Sequence, residues 1–242
     1  MNPFSVRGKV VIITGGSGFL GGQYSTAFHE RGAEVIDWSR KKNVDITKPE
    51  LVKEAANEAL RKFGRLDILI NNAALNPVLG NKDQYLPFEQ YSLELWKREL
   101  EIGITGMMIC TQAVAPAMMK QGSGSIINIG SQYGLVSPDN RLYNEGMFKS
   151  IAYSTFKGAV PNFTRAWAGY LGPHGVRVNC LALGGVLHGN DPEFVKKYSQ
   201  RTMLGRMANK NDFDGAIIFL ASAASSYVTG ACLSIDGGWT AW

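Results

Sequence analysis

Tyr153 and Lys157 stand four residues apart in Tyr153-Ser154-Thr155-Phe156-Lys157. On a helix that spacing brings both side chains to one face. A phenol with an ordinary pKa of about 10 is a poor acid or base at neutral pH. A cation about 4 Å away, at an effective dielectric near 20, stabilises the phenolate by roughly 4 kcal/mol, or up to about three pKa units. Desolvation of both groups offsets part of that. The pair is a candidate proton donor and acceptor. The plainer alternative is a surface tyrosine with a lysine stem laid along it.

The second chemically suggestive stretch is Thr14-Gly15-Gly16-Ser17-Gly18-Phe19-Leu20-Gly21, a G-x-G-x-x-G at Gly16, Gly18 and Gly21. It follows an apolar β-branched run and precedes a helical pattern, the context in which such a loop turns sharply and aims a helix N-terminus at a pyrophosphate. Gly15, Ser17, Gly18, Phe19 and Leu20 are its candidate contacts. Asp37 ends the next apolar run, about 20 residues on, where a carboxylate accepts hydrogen bonds from adenosine ribose hydroxyls and repels a 2′-phosphate. That favours NAD; Arg40 leaves NADP open. Asp45 and Ile46 are the candidate adenine-side contacts.

These residues need a scaffold, and the hydrophobic pattern describes one. Strands are predicted at residues 9–14, 33–37, 66–70, 125–129, 176–181 and 231–235. Helices are predicted at residues 21–31, 51–63, 93–119, 151–171 and 212–221, with Pro161 inside the fourth. Alternating strands and helices, with strands apolar on both faces, describe an α/β fold with a parallel sheet covered on both sides. Residues 75–91, 132–150 and 184–211 lack a clear period and follow strand ends, where ligands sit in such sheets. No linker or repeat divides the chain, so residues 1–242 read as one domain.

Composition narrows the classes. The chain has 242 residues, 45% hydrophobic and 19% charged, with a net charge of +5. It can bury a core. No basic run exceeds Arg40-Lys41-Lys42, so no nucleic-acid partner is expected. The three cysteines, Cys110, Cys180 and Cys232, fit neither a disulfide framework nor a zinc site, and no metal is expected. Neither a signal peptide nor a membrane-spanning stretch is expected, which gives a cytoplasmic expectation and no membrane partner.

Taken together, the Thr14–Gly21 loop, Asp45, Asn71-Asn72-Ala73-Ala74, residues 125–131, the Tyr153/Lys157 pair, Arg177-Val178-Asn179, and Thr229-Gly230 through Gly238 resemble the short-chain dehydrogenase/reductase family along nearly the whole chain. The resemblance implies a Rossmann fold, a doubly wound parallel sheet of about seven strands. It implies hydride transfer between a nicotinamide and an alcohol or carbonyl. It makes Tyr153 the general acid/base, Lys157 the ribose contact that lowers the tyrosine pKa, and Ser131 a hydrogen-bond partner of the substrate oxygen. Asn71 or Asn72, with Ala73 and Ala74, would line the cofactor cleft and brace the sheet. Gly184, Gly185 and Val186 would lie on the nicotinamide side. A homodimer or homotetramer built on the long helices is also implied.

The chain departs from that family at informative places. Phe19 stands where simple members have glycine, a spacing more like the extended, sugar-nucleotide-modifying branch. Gly103 takes the place of an asparagine that supports a proton relay, and Leu183 that of a proline. Ser131 and Tyr153 are 22 positions apart, farther than the family's usual spacing. The extra residues, with Tyr133 and Tyr143 nearby and Asp139, Arg141, Asn144 and Glu145 among them, suit a polar, sugar-like or sugar-nucleotide-like substrate, as in surface-glycan and flagellin-modification members. His188 is a further candidate substrate contact, and Trp239 and Trp242 are candidates for a subunit contact. Two other readings are a non-catalytic dinucleotide-sensing protein, favoured only by Gly103, and an epimerase or dehydratase holding its cofactor tightly.

Overall fold

The apolar runs become six strands: β1 (Val10–Thr14), β2 (Glu34–Trp38), β3 (Ile68–Asn71), β4 (Gly124–Ile129), β5 (Val176–Leu183) and β6 (Cys232–Ile235). All pair in parallel in one sheet of order β2-β1-β3-β4-β5-β6. The structure, a computed structural model, describes residues 2–75 and 82–242; the predicted cleft segment 75–91 thus lies partly outside the described residues.

Successive strand residues point to opposite faces, and each face has its own core. Val10, Ile12, Leu69, Ile126 and Val178 pack with α2 (Pro49–Phe63), α4 (Gly106–Gln121) and α5 (Ile151–Leu171). Val11, Ile13, Ile70, Ile127 and Leu181 pack with α1 (Phe19–His29) and α7 (Asp214–Ala221). This is the doubly wound Rossmann arrangement. The chain runs outward from β1 to β2, then returns to place β3 on the other side of β1. A crevice opens at that reversal, beyond the carboxyl ends of the strands.

Four expectations change. About seven strands are implied by the resemblance, and six form among the described residues. The short connection from β2 to α2 folds into a turn at Arg40–Lys42, closed by Asn43 in the left-handed region at φ 60°, so nothing there pairs outside β2. The predicted helix 93–119 is two helices, α3 (Leu93–Leu100) and α4, joined by a π-turn at Glu101–Thr105. The continuous run Leu93–Gln121 is, by length and composition, long and apolar enough to cross a membrane, against expectation; here Cys110, Val114 and Met118 of that run lie in the core. Residues 184–211 contain a helix with no clear sequence period, α6 (Pro192–Gln200), whose cap Asp191 accepts from the Glu193 and Phe194 amides. Helix α5 runs unbroken through Pro161.

At the amino end of the sheet, buried Asp67 ties the segments leading into β1 and β3 together. It accepts from the Val10 amide at 2.9 Å, from Arg65 at 2.8 and 2.6 Å, and from Lys9 at 3.2 Å. Burial pushes its carboxyl up, but the Arg65 hydrogen bonds, the Val10 amide and Lys9 outweigh that and hold it below the usual range. Because its folded pKa is depressed, its contribution is present above the unfolded pKa and is lost as pH falls through the folded one. Asp67→Asn is expected to cost about 1–3 kcal/mol at neutral pH. In urea denaturation that penalty should shrink toward zero below about pH 3; an equal penalty at both pH values would contradict the assignment.

Candidate active site

The glycine loop is built so that backbone, not side chains, faces the crevice. Gly15 sits at φ +65°, and a β-carbon there would press on Ala73 at 3.2 Å. A β-carbon on Gly16 would meet the Asp37 carboxylate at 2.6 Å, and one on Gly21 would collide with the Gly15 carbonyl. Helix α1 starts immediately after Gly18, with no side chain capping it and no acid in its first turn. Its free N–H groups and positive dipole end therefore remain available to an anion. Thr14 locks the loop to β3: its hydroxyl accepts from the Asn72 and Ala73 amides at 2.9 Å, and its carbonyl accepts from Asn72 Nδ2 at 2.9 Å. These features fit a dinucleotide phosphate cradle.

The crevice is a cavity of 1420 Å³, larger than a drug-sized site and roomy enough for a dinucleotide together with a small substrate. Gly15, Ser17, Gly18, Phe19, Leu20, Asp45, Ile46, Asn72, Ala73 and Ala74 line one end. Ser131, Tyr133, Tyr143, Tyr153, Lys157, Gly184, Gly185 and Val186 line the rest. Asn71 lies beneath the cavity, donating to Asn128 at 2.9 Å and Thr111 at 3.1 Å. Of the two asparagines, then, Asn72 lines the cleft and Asn71 braces the sheet.

Asp37 differs from expectation. It does not line the cavity; its Oδ2 accepts hydrogen bonds from Ser17 and Ser39, and its Oδ1 is buried without a partner among the described residues. The serines, with Arg40, Lys41 and Lys48, face the cavity instead. His188 lines the cavity, but its ring stacks on Phe19 at 3.8 Å. That places it over the glycine-loop end rather than at the Tyr153 phenol, because two flat rings bury more surface together than apart.

At the phenol, the Ser131 hydroxyl is near enough to Tyr153 to oppose a rise in its pKa. Lys157 donates to the Ile129 carbonyl and lies 5.7 Å from the Tyr153 ring centre. Burial pushes the Tyr153 phenol above its ordinary value despite Ser131, and Glu99 adds to the rise. Lys157 is itself pushed down to about 8 by burial. Desolvation, which the sequence argument treated as a partial offset, is the larger effect in the protein alone.

Phe156 packs edge-on against the Tyr153 ring at 5.3 Å, and Phe156 also accounts for Gly103. A β-carbon on Gly103 would meet the Phe156 ring at 2.6 Å. No asparagine fits there; the π-turn carries a bare backbone past an apolar ring. The feature that favoured a non-catalytic reading thus has a packing cause.

The long segment between Ser131 and Tyr153 folds over the cavity. Tyr143 packs on Phe194 of α6 at 5.5 Å and on Tyr85 at 5.8 Å. Its charged residues are largely spent on one another: Asp139 pairs with Arg141 at 2.8 Å and with Arg201 at 3.5 Å, and of the four polar candidates only Asn144 lines the cavity. Trp239, expected at a subunit contact, is internal, stacked on Tyr198 at 4.5 Å; Trp242 is exposed.

Several residues of the site escape sequence reading. Lys149, one residue before the α5 cap Ser150, lines the cavity with Nζ 4.2 Å from the Tyr153 ring centre. Its only sequence signal is a position four before Tyr153, mirroring Lys157. Glu99 of α3 is fully buried and accepts from Gln84 at 3.0 Å, Tyr91 at 2.6 Å and Ser150 at 2.8 Å. Ser150 also accepts from the Tyr153 amide at 3.0 Å, so Glu99 is anchored to the turn that carries the phenol.

Burial also pushes Lys149 down to about 8, with Glu99 opposing and Lys157 adding to the fall. The unfolded chain keeps both ammonium protons to about pH 10, whereas the folded protein releases them near 8. It follows that folding becomes more favourable as pH rises from 8 toward 10. Between pH 7.5 and 9.5 the wild type should gain on the order of 4 kcal/mol, half from each lysine, relative to Lys149→Met/Lys157→Met. Parallel chemical-denaturation curves for the two proteins would contradict it.

The chain matches the family described as enoyl-(acyl carrier protein) reductase over residues 19–240. It is 32% identical to a 3-alpha-(or 20-beta)-hydroxysteroid dehydrogenase of Mycobacterium tuberculosis, covering 96% of this chain and 89% of that one. Its structure is similar to that of a short-chain dehydrogenase from Leptospira borgpetersenii with bound NAD+, at a TM-score of 0.86 and 33% identity, covering 97% and 93% of the two chains. It is also similar to a gluconate 5-dehydrogenase from Burkholderia cenocepacia in complex with NADP and tartrate, at a TM-score of 0.88 and 25% identity, covering 100% and 98%.

Proposed function

Given that the chain belongs to the short-chain dehydrogenase/reductase family and is an oxidoreductase acting on CH–OH with a nicotinamide dinucleotide, we propose that Tyr153 is its general acid/base and that its substrate is a small polar, sugar-like alcohol or ketone. The observation that carries this reading is the convergence of Ser131, Tyr153 and Lys157 at one wall of the cavity, beyond the glycine loop.

Bound nicotinamide supplies the hydride donor or acceptor. The chain's own residues do the rest. Ser131 and Tyr153 together grip the substrate oxygen, fixing the carbinol carbon. A phenol kept protonated by burial gives its proton from Oη to the carbonyl oxygen during reduction; in oxidation Oη takes it back. Lys157, held by the Ile129 carbonyl, would hold the nicotinamide ribose and supports the phenolate when it forms. Tyr133, Tyr143 and Asn144 offer hydroxyl and amide groups with aromatic faces, a surface suited to a polyol. The gluconate 5-dehydrogenase named above lends the sugar-like reading a parallel.

NAD is placed ahead of NADP, because the negative charge of Asp37 lies directly behind Ser17 and Ser39 where a 2′-phosphate would approach. Arg40 and Lys41 favour the opposite choice. Fluorescence titration of wild type and Tyr153→Phe with NADH and NADPH is expected to give tighter NADH binding, little changed by the substitution. Turnover of polyols and sugar acids should fall about 10²–10⁴-fold in the variant. Unchanged turnover would remove Tyr153 from the chemistry, and tighter NADPH binding would reverse the cofactor order.

We also propose a homo-oligomer. Phe163, Trp167 and Tyr170 form an edge-on ladder on α5, at 6.3 and 5.9 Å, that ends in exposed Tyr170, a surface suited to a second copy. Sedimentation should give a dimer or tetramer; a monomer at micromolar concentration would refute it.

A further inference from the structure

Lys149 is a buried cation in search of a counter-charge. The side chain is nine-tenths buried and faces the cavity. Its Nζ lies over the faces of Tyr153, at 4.2 Å, and Tyr133, at 6.0 Å. Among the described residues it has no hydrogen-bond acceptor and no ion-pair partner. The nearest buried carboxylate, Glu99, does not serve, because its oxygens already accept from Gln84, Tyr91 and Ser150. Ring faces attract a cation but accept none of its N–H groups as a lone pair does. A buried ammonium left this way is unfavourable unless something completes it.

We infer that Lys149 receives a carboxylate of the substrate, so that the preferred substrate is a hydroxy acid of the sugar-acid kind rather than a neutral sugar. This rests on the reaction assigned above to Tyr153. The position over the phenol ring puts the acid group close to the carbon that reacts. The charge count argues for a carboxylate over a phosphate ester. A dianionic phosphate is ordinarily held by several converging donors or an arginine fork, whereas a single ammonium stands over the Tyr153 ring without an acceptor among the described residues, and Arg141 and Arg201, engaged by Asp139, stay outside the cavity lining. Lys157 is tied to the Ile129 carbonyl, so of the two buried lysines at the phenol Lys149 is the one left to take the acid. The hydroxyls of such a substrate then meet Tyr133, Tyr143 and Asn144.

The test is calorimetric binding to the NADH-loaded protein, using matched pairs: D-gluconate against D-glucitol, glycerate against glycerol, and inorganic phosphate alone. In the wild type at least one acid should bind tenfold or more tightly than its neutral partner. Lys149→Met should abolish that difference, and Lys149→Arg should keep part of it. Unaltered NADH affinity in both variants shows that they are folded. Acids that bind no better than their neutral partners, or an acid preference that survives in Lys149→Met, would overturn the inference. Phosphate binding more tightly than the acids would overturn the carboxylate in favour of a phosphate ester. Loss of NADH binding in the wild type is a different result: it removes the reaction itself, and this inference falls with it.

Discussion

Two ammonium groups are buried around one phenol, and the surrounding structure is arranged to make that tolerable. A desolvated lysine loses hydration that only well-placed acceptors and opposite charge restore. Lys157 finds the Ile129 carbonyl at the end of β4. Lys149 feels the charge of Glu99 from a distance too long for an ion pair. Glu99 in turn is fixed by groups from three segments: Gln84, Tyr91 and the α5 cap Ser150. Each support is itself part of the scaffold, so the charge arrangement and the fold at this end of the sheet are one constraint. A shift of α3 relative to α5 would disturb Glu99, the cap and the phenol together.

The π-turn between α3 and α4 shows how the same constraint acts on packing. Phe156 occupies the space beneath Tyr153 and requires glycine at residue 103. An extra residue in the turn, as in π-bulges generally, lets the long helical run continue while its backbone passes close to the ring. Polar support is thereby displaced from the middle of this helix to its preceding turn, where Glu99 sits. The chain keeps one buried polar anchor from this element near the active site and moves it by about one helical turn.

Much of this was legible beforehand, for physical reasons. Strands buried on both faces need apolar runs, and the four central ones stand out as such, while the edge strands β2 and β6, only partly buried, mix apolar with polar residues. A phosphate cradle tolerates no β-carbons at Gly15, Gly16 and Gly21, so its glycines mark it. Tyr153 and Lys157 are readable because a helix fixes their relation locally. What depends on chain reversal was not legible. Lys149 lies outside the helix, so its distance to the phenol is set by how residues 132–150 return to α5. Glu99 reads as one more charge on an amphipathic helix. Asp37 has the expected position, but the side-chain direction is decided by Ser17 and Ser39. Asp139 and Arg141 read as polar substrate contacts and instead satisfy each other, since two opposite charges two residues apart in a turn meet at little entropic cost.

Phe19 settles what the glycine loop requires. Its place is the first residue of α1, where the backbone is already helical and the side chain projects outward. No close approach constrains it, in contrast to Gly16 and Gly21, whose missing β-carbons make room for Asp37 and for the turn itself. A large ring at residue 19 therefore leaves the phosphate-facing amides in place and adds a surface above them. His188, from the segment after β5, lies flat on that surface. The contact joins the loop that follows the first strand to the one that follows the fifth, across the mouth of the cavity. The substitution alters what lies over the cradle and leaves the cradle unchanged, because in this loop the glycines that matter are those packed against Asp37 and the turn's own backbone, not those facing solvent.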